Sequence, residues 1–254
     1  IPLSGEPGEV IYAFYETILN QCVKENVFPG SVKPNYAFYA QYGISGITSL
    51  HKIIEIYKSE SIPVILDVKR GDIGKTALAY AKEAFDFFNA DSVTLAPYMG
   101  LDSIKPFIDH GPEKGYYILT KTSNSSSVEI QDIKTENGIL YEFIAQRIID
   151  WYHPGIGSVV GATYPEQLEK ILSIFNESDN EIPLLIPGIG AQGGSLTDVL
   201  TILRSFGDIS IHRINSSSGI NYAYKKSGNN DFASAAIDAL KELNDEINVW
   251  HYLR

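Results

Sequence analysis

Short apolar runs recur along the chain at about 30–33, 63–67, 92–95, 116–120, 157–160, 183–186 and 210–214. Runs of this length read as buried strands. Between and after them lie amphipathic stretches near 46–59, 73–89, 101–109, 137–152, 164–176, 195–205 and 231–246, so each strand is followed by a helix. Regular alternation of this kind calls for a parallel sheet, because the crossover helix returns the chain to the same edge direction. A closed barrel and an open doubly wound sheet both satisfy it. One further helix, over about 9–25 in EVIYAFYETILNQCVKE, comes before the first strand and has no strand in front of it. Eight helices with seven strands is the count of an eightfold α/β barrel, a (β/α)8 TIM barrel, whose first strand is missing from this chain. An N-terminal helix capping a seven-strand sheet gives the same count.

Composition narrows the picture. A chain of 254 residues, 44% of them hydrophobic, is long enough for one large core, and single α/β barrels are of this size, so residues 1–254 are expected to form one domain. The 31 acidic against 20 basic side chains leave a net charge of -11, which repels nucleic-acid backbones and anionic membranes. The closest basic pairs, Lys69 with Arg70 and Lys225 with Lys226, are too small for a nucleic-acid footprint. No apolar run approaches the roughly 20 residues that span a bilayer. A single cysteine excludes an intrachain disulfide framework and fits the cytoplasm. Cys22 falls in line with Val10, Phe14 and Ile18 at helical spacing, which makes it a core residue rather than a nucleophile. The longest irregular stretch, KTSNSSSVEIQDIKTE over 121–136, has the length of a lid or binding loop.

Candidate chemistry gathers where strands end. The run VILD leads into VKRGDIGKT and sets Asp67, Lys69 and Asp72 at the C-terminal end of a strand, where barrel active sites lie. In an extended segment Asp67 and Lys69 point to the same side, and Asp72 begins the following turn. Further on, LLIPGIGAQGG carries Gly188, Gly190 and Gly193 in a G-x-G-x-x-G pattern between a strand and a helix. A dinucleotide site needs an acidic residue about 20 positions later, at the end of the next strand, and Asp208 comes too early. A phosphate site of the barrel type fits better, with glycine amides and a helix N-terminus facing the anion. The next strand ends in INSSSGI, so the two loops together fall where barrels hold phosphate. His51, His110, His153, His212 and His251 show no metal-ligand spacing, and no G-x-S-x-G elbow is present.

These residues resemble a known family. DVKRGDIGKT is similar to the D-x-K-x-x-D-I-x-x-T signature of orotidine 5'-phosphate decarboxylases. SVKPNYAFYAQYG, DSVTLAPYMG, KTSN and IPGIGAQGG resemble that family's second-strand, fourth-strand, fifth-strand and phosphate-loop segments, in the right order and across nearly the whole chain. The K-R-G-D-I form points to the branch found in many bacteria and some protists. The resemblance implies removal of carbon dioxide from orotidine 5'-phosphate to give UMP, without metal or organic cofactor. It assigns Lys33 to the ribose and the charged network, Asp67 to a position beside the substrate carboxylate, and Lys69 to proton donation. Asp72 and Thr76 would reach into a neighbouring subunit's site, implying a homodimer. Ser123 would touch the pyrimidine, while Gln192 and the backbone of Gly190 would bind phosphate.

The chain departs from the pattern in three places. The family opens with a strand bearing a G-L-D-type aspartate, and this chain starts after it, at IPLSGEPG. The family usually has arginine in N-S-S-R-G-I where this sequence has Ser218, so phosphate affinity is expected to be lower. The loop SNSSS replaces the common S-N-P-G-S. Two other readings remain: a phosphosugar-processing barrel such as a hexulose phosphate synthase or ketogulonate phosphate decarboxylase, which usually needs magnesium, and a non-catalytic nucleotide-binding fragment.

Overall fold

The computed structural model describes residues 5–190, 193–228 and 231–252. Its strands are β1 (Ile65–Arg70), β2 (Ser92–Leu95), β3 (Gly115–Lys121), β4 (Lys134–Thr135), β5 (Gly138–Ile139), β6 (Ile156–Val160), β7 (Leu184–Pro187) and β8 (Arg213–Asn215). β4 and β5 form a separate antiparallel hairpin, and the other six make one sheet in the order β1-β2-β3-β6-β7-β8. The pairs β3–β6, β6–β7 and β7–β8 are parallel. Helices Gly74–Lys82, Lys105–His110, Leu140–Asp150, Pro165–Phe175 and Leu196–Phe206 connect successive strands of this sheet. Spatial order therefore follows chain order with a helix at each crossover, as the hydrophobic pattern predicts.

Two of the seven expected strands are altered, each for a local reason. Over 30–33 only isolated parallel bridges form, Val32 to Val64 and Asn35 to Asp67. The segment is hydrogen-bonded to β1 through Ile65 N to Val32 O and Asp67 N to Pro34 O, at 2.8 and 3.0 Å. Pro34 has no N–H, so the ladder cannot run through it. The run 210–214 is only half strand, because Asp208 accepts from Ser210 N at 2.8 Å and caps a 3-10 turn at Ile209–Ile211. The expected loop 121–136 is folded: it holds a 3-10 turn (Ser125–Ser127), a helical turn (Val128–Gln131) and part of the β4–β5 hairpin.

The chain divides into two compact units. The first contains the residues up to Val68, Lys82–Val93 and Ser217–Glu246; the second contains Lys69–Ala81, Thr94–Ser216 and the residues from Ile247 on. In the first, helix Pro7–Glu25 packs Ile18 and Cys22 against Ala233, Ala236, Ile237 and Leu240, with Phe14 stacked on Phe232. Cys22 is thus a core residue as expected, and burial pushes its thiol up to about 11. In the second, every residue of β6 is buried, which is how a strand covered on both faces reads. Helix Pro165–Phe175 buries Leu168, Ile171 and Leu172, and helix Leu196–Phe206 buries Val199, Leu200 and Leu203, the apolar stripe of a 3.6-residue period. Among the described residues no helix is long and apolar enough to cross a membrane.

Candidate active site

In the first unit Lys33 Nζ meets Asp67 Oδ2 at 2.8 Å, with only 13% and 6% of their side chains exposed. The bridge between Asn35 and Asp67 sets this register, since it holds the 32–35 segment beside the end of β1. Asn35 adds a weaker bond from Nδ2 to the same carboxylate oxygen at 3.4 Å, and its own Oδ1 accepts from Ala37 N. A carboxylate this buried is tolerated only with such partners, and removing one of them costs about 3 to 5 kcal/mol. Two candidate residues from separate segments, Asp67 of the motif and Lys33 named by the resemblance, are therefore brought together. Asn35 was not singled out, although it lies in the quoted segment SVKPNYAFYAQYG.

In the second unit Lys69 is exposed, and its backbone has φ 48, outside the extended region although it lies within β1. The expectation that Asp67 and Lys69 share a side rests on regular alternation, and alternation does not apply to a residue in this conformation. The Lys69 amide donates to Thr94 Oγ1 at 3.0 Å. The next residues are pressed against the end of β2: Ala96 N donates to Arg70 O at 2.7 Å, and a side chain at Gly71 would come within 3.0 Å of Ala96 Cβ. Asp72 begins the turn that follows, as expected, with its carboxylate accepting from Ile73 N at 2.8 Å. Thr76 is exposed on helix Gly74–Lys82.

The end of β3 holds a residue that sequence reasoning passed over. A register shift between Leu119 and Lys121 marks a bulge at Thr120, so Thr120 and Lys121 are both buried and the alternation of β3 breaks. Lys121 is fully buried; its Nζ pairs with Asp132 at 2.7 Å and lies 4.7 Å from the centre of the Tyr164 ring. Gln131 clamps the same segment twice, accepting from Thr122 N at 2.9 Å and donating to Thr122 Oγ1 at 2.8 Å. Ser123 follows, with its carbonyl accepting from Thr163 Oγ1 at 3.3 Å. Gly161 lets β6 approach, since a Cβ there would sit 2.8 Å from Ser123 N and Cα. Loop and strand end are thereby held as one piece.

The glycine-rich turn explains its own spacing: Gly188, Gly190 and Gly193 all have positive φ, at 102, 70 and 89. Its amides are bonded within the loop. Gly190 N donates to Gly194 O at 3.0 Å, Gly193 N to Gly190 O and Gly194 N to Gly188 O, so these donors close the loop on itself instead of facing outward. The helix that follows has Asp198 N donating to Ser195 Oγ and a carboxylate in its first turn, which disfavours an anion there. Gln192 lies outside the described residues. Ser218 is exposed at the start of the helical turn Ser218–Asn221, in the first unit. Arg213 does not stand in for an arginine at 218, because its Nη1 donates to the carbonyls of Ser210 and His212 at the start of β8. Among the described residues no three His, Cys, Asp or Glu side chains cluster as a metal site would.

A sheet in chain order with a helix at each crossover defines an α/β protein, the class to which the (β/α)8 barrels belong. The chain matches the model of the orotidine 5'-phosphate decarboxylase / HUMPS family over residues 28–226. It is 44% identical to the curated orotidine 5'-phosphate decarboxylase of Ralstonia nicotianae over 245 residues, 95% of this chain and 85% of that protein. Among solved structures it is similar to Leishmania donovani OMP decarboxylase, with TM-score 0.80, 33% identity, and coverage of 100% of this chain and 92% of the other. It also resembles Leishmania donovani UMP synthase, with TM-score 0.83 and 35% identity, covering 99% of this chain but 52% of that longer one. The chain belongs to the orotidine 5'-phosphate decarboxylase family.

Proposed function

We infer that this chain, an enzyme of the orotidine 5'-phosphate decarboxylase family, converts orotidine 5'-phosphate to UMP in pyrimidine biosynthesis without a cofactor. The observation that carries the reading is the buried ion pair of Lys33 with Asp67, a residue of β1. In the reaction the bond from the pyrimidine ring to its carboxylate breaks, carbon dioxide leaves and the electron pair stays on the ring carbon. Lys69 then gives that carbon a proton. Enzymes lower barriers by roughly 8 to 23 kcal/mol, whereas two carboxylates about 4 Å apart repel by only about 4 kcal/mol at an effective dielectric of 20. Repulsion by Asp67 is therefore a minor term, and stabilisation of the developing carbanion by the Lys69 ammonium is the main one. Lys33 holds Asp67 and the ribose, Ser123 contacts the pyrimidine, and Gln192 with Ser218 serves the phosphate. The backbone of Gly190, in the loop closed by its bond to Gly194 O, joins them at the phosphate.

The active form in this reading is a cytoplasmic homodimer in which Asp72 and Thr76 serve the partner's site. Exposed apolar side chains support the dimer: Tyr98 is 93% and Met99 51% exposed on the turn after β2, and Ile73 stands beside Asp72 at 49%. Large apolar side chains left this exposed would be covered in such an association. The two units are taken as one catalytic domain because the family match draws on residues of both. Mixing inactive Lys69→Ala and Asp72→Ala subunits tests the shared site. Hybrid dimers should regain one working site in two, with UMP formation unaffected by excess chelator. No recovery despite demonstrated subunit exchange, or loss of activity on chelation, would contradict it.

A further inference from the structure

We propose that Thr94 is a positioning residue that holds Lys69 in its catalytic conformation through the backbone. Among the described residues four other than glycine have positive φ: Asn26, Ser61, Lys69 and Asn89. Asn26 caps helix Pro7–Glu25, Ser61 lies just past helix Gly43–Ser59, and Asn89 follows the π-helical turn Glu83–Phe87. Such helix ends are where left-handed residues belong. Lys69 alone has this conformation inside a strand, and a long side chain gains nothing local from it. A disfavoured backbone state persists only where its surroundings over-determine it.

The surroundings are the end of β2. Thr94 is 2% exposed, between the fully buried Val93 and Leu95, and its hydroxyl accepts the Lys69 amide at 3.0 Å. Valine would fill the same space, so packing does not require the oxygen. Just after Lys69 the geometry is set: Arg70 O is bonded by Ala96 N, and Gly71 is against Ala96. Losing the Thr94 acceptor frees φ at Lys69 to relax toward the extended region, which swings Cβ and with it the ammonium. A misplacement of about 1 Å in a reacting group can cost on the order of 100-fold.

The inference rests on Lys69 being the proton donor. Thr94→Val should lower kcat for orotidine 5'-phosphate by about tenfold or more, while the Kd for UMP and the KM change by less than about twofold. Thr94→Ser, which keeps the hydroxyl, should hold kcat within about threefold. If the valine variant does not accumulate as folded protein, Thr94→Ala supplies the same comparison with serine. Added to Lys69→Ala, the valine change should cause no further loss in residual turnover, because its effect runs through that lysine. An undiminished kcat in Thr94→Val, an equal loss in Thr94→Ser, or an independent further loss in the double variant would overturn the proposal. Full activity in Lys69→Ala alone would instead remove the reading of Lys69 on which it stands.

Discussion

Ser218 offers one hydroxyl donor and no charge at a position where the family usually supplies an arginine fork to the substrate phosphate. Arg213 is turned toward the start of its own strand, its Nη1 donating to the carbonyls of Ser210 and His212. A hydrogen bond to a charged group contributes about 1.5 to 3 kcal/mol, or on the order of ten- to 150-fold. Ser218→Arg should therefore raise kcat/KM for orotidine 5'-phosphate by about tenfold or more, and scarcely change it for an analogue without the phosphate. Equal gains for both substrates would show that this side chain does not face the phosphate. At this scale the sequence reveals chemistry through residue type and spacing, which is how Asp67, Lys69 and Asp72 stand out, whereas Lys33 is found only through the family resemblance. It does not reveal conformation: nothing in DVKRGD announces a lysine with positive φ, because glycine, the usual signal, is absent from that position. Thr94 and Asn35 escape for a related reason, since each acts through a partner distant in sequence.

The element that departs furthest from its sequence reading is the loop after β3. Rich in Ser and Asn, it reads as irregular, yet it carries helical turns and is latched to the strand end by Lys121, Asp132 and Gln131. The latch depends on a one-residue bulge at Thr120, and a bulge leaves no mark in a hydrophobic pattern. A buried lysine also looks in sequence like any other charged residue flanking a loop. Breaking the pair strands one charge, although Asp132 retains 27% exposure and some hydration. Lys121→Met should cost about 2 kcal/mol in urea unfolding and raise KM more than it lowers kcat, because Ser123 rides on the latched segment. Adding Asp132→Leu should restore part of the stability. Unchanged stability and KM in the single variant would show that the latch holds nothing in place. Helices Pro165–Phe175 and Leu196–Phe206, by contrast, are legible nearly to their ends, because their amphipathic stripes are set by burial of one face.

At the scale of the molecule, strand order and the helix at each crossover follow from the alternating pattern, and only Pro34 and the Asp208 cap shorten what it predicts. One global property lay outside that pattern. His212 Nδ1 accepts from Leu184 N at 3.0 Å, and burial lowers its pKa to about 4. The folded pKa lies below the unfolded value of 6.5, so the unfolded chain binds the extra proton first. Stability from this group is complete above about pH 6.5 and is lost as pH falls toward about 4, amounting to about 3 kcal/mol. Denaturant unfolding at pH 7.5 and 4.5 should show a smaller decline for His212→Gln than for the parent; equal declines would contradict the assignment. The central claim is chemical, and the most direct measurement is conversion of orotidine 5'-phosphate to UMP by the parent and by Lys69→Ala, alongside UMP binding to both. The account predicts turnover by the parent, loss of at least about a thousandfold in the variant, and UMP affinity within about tenfold. Substantial turnover in Lys69→Ala, or none in a parent that binds UMP, would contradict it.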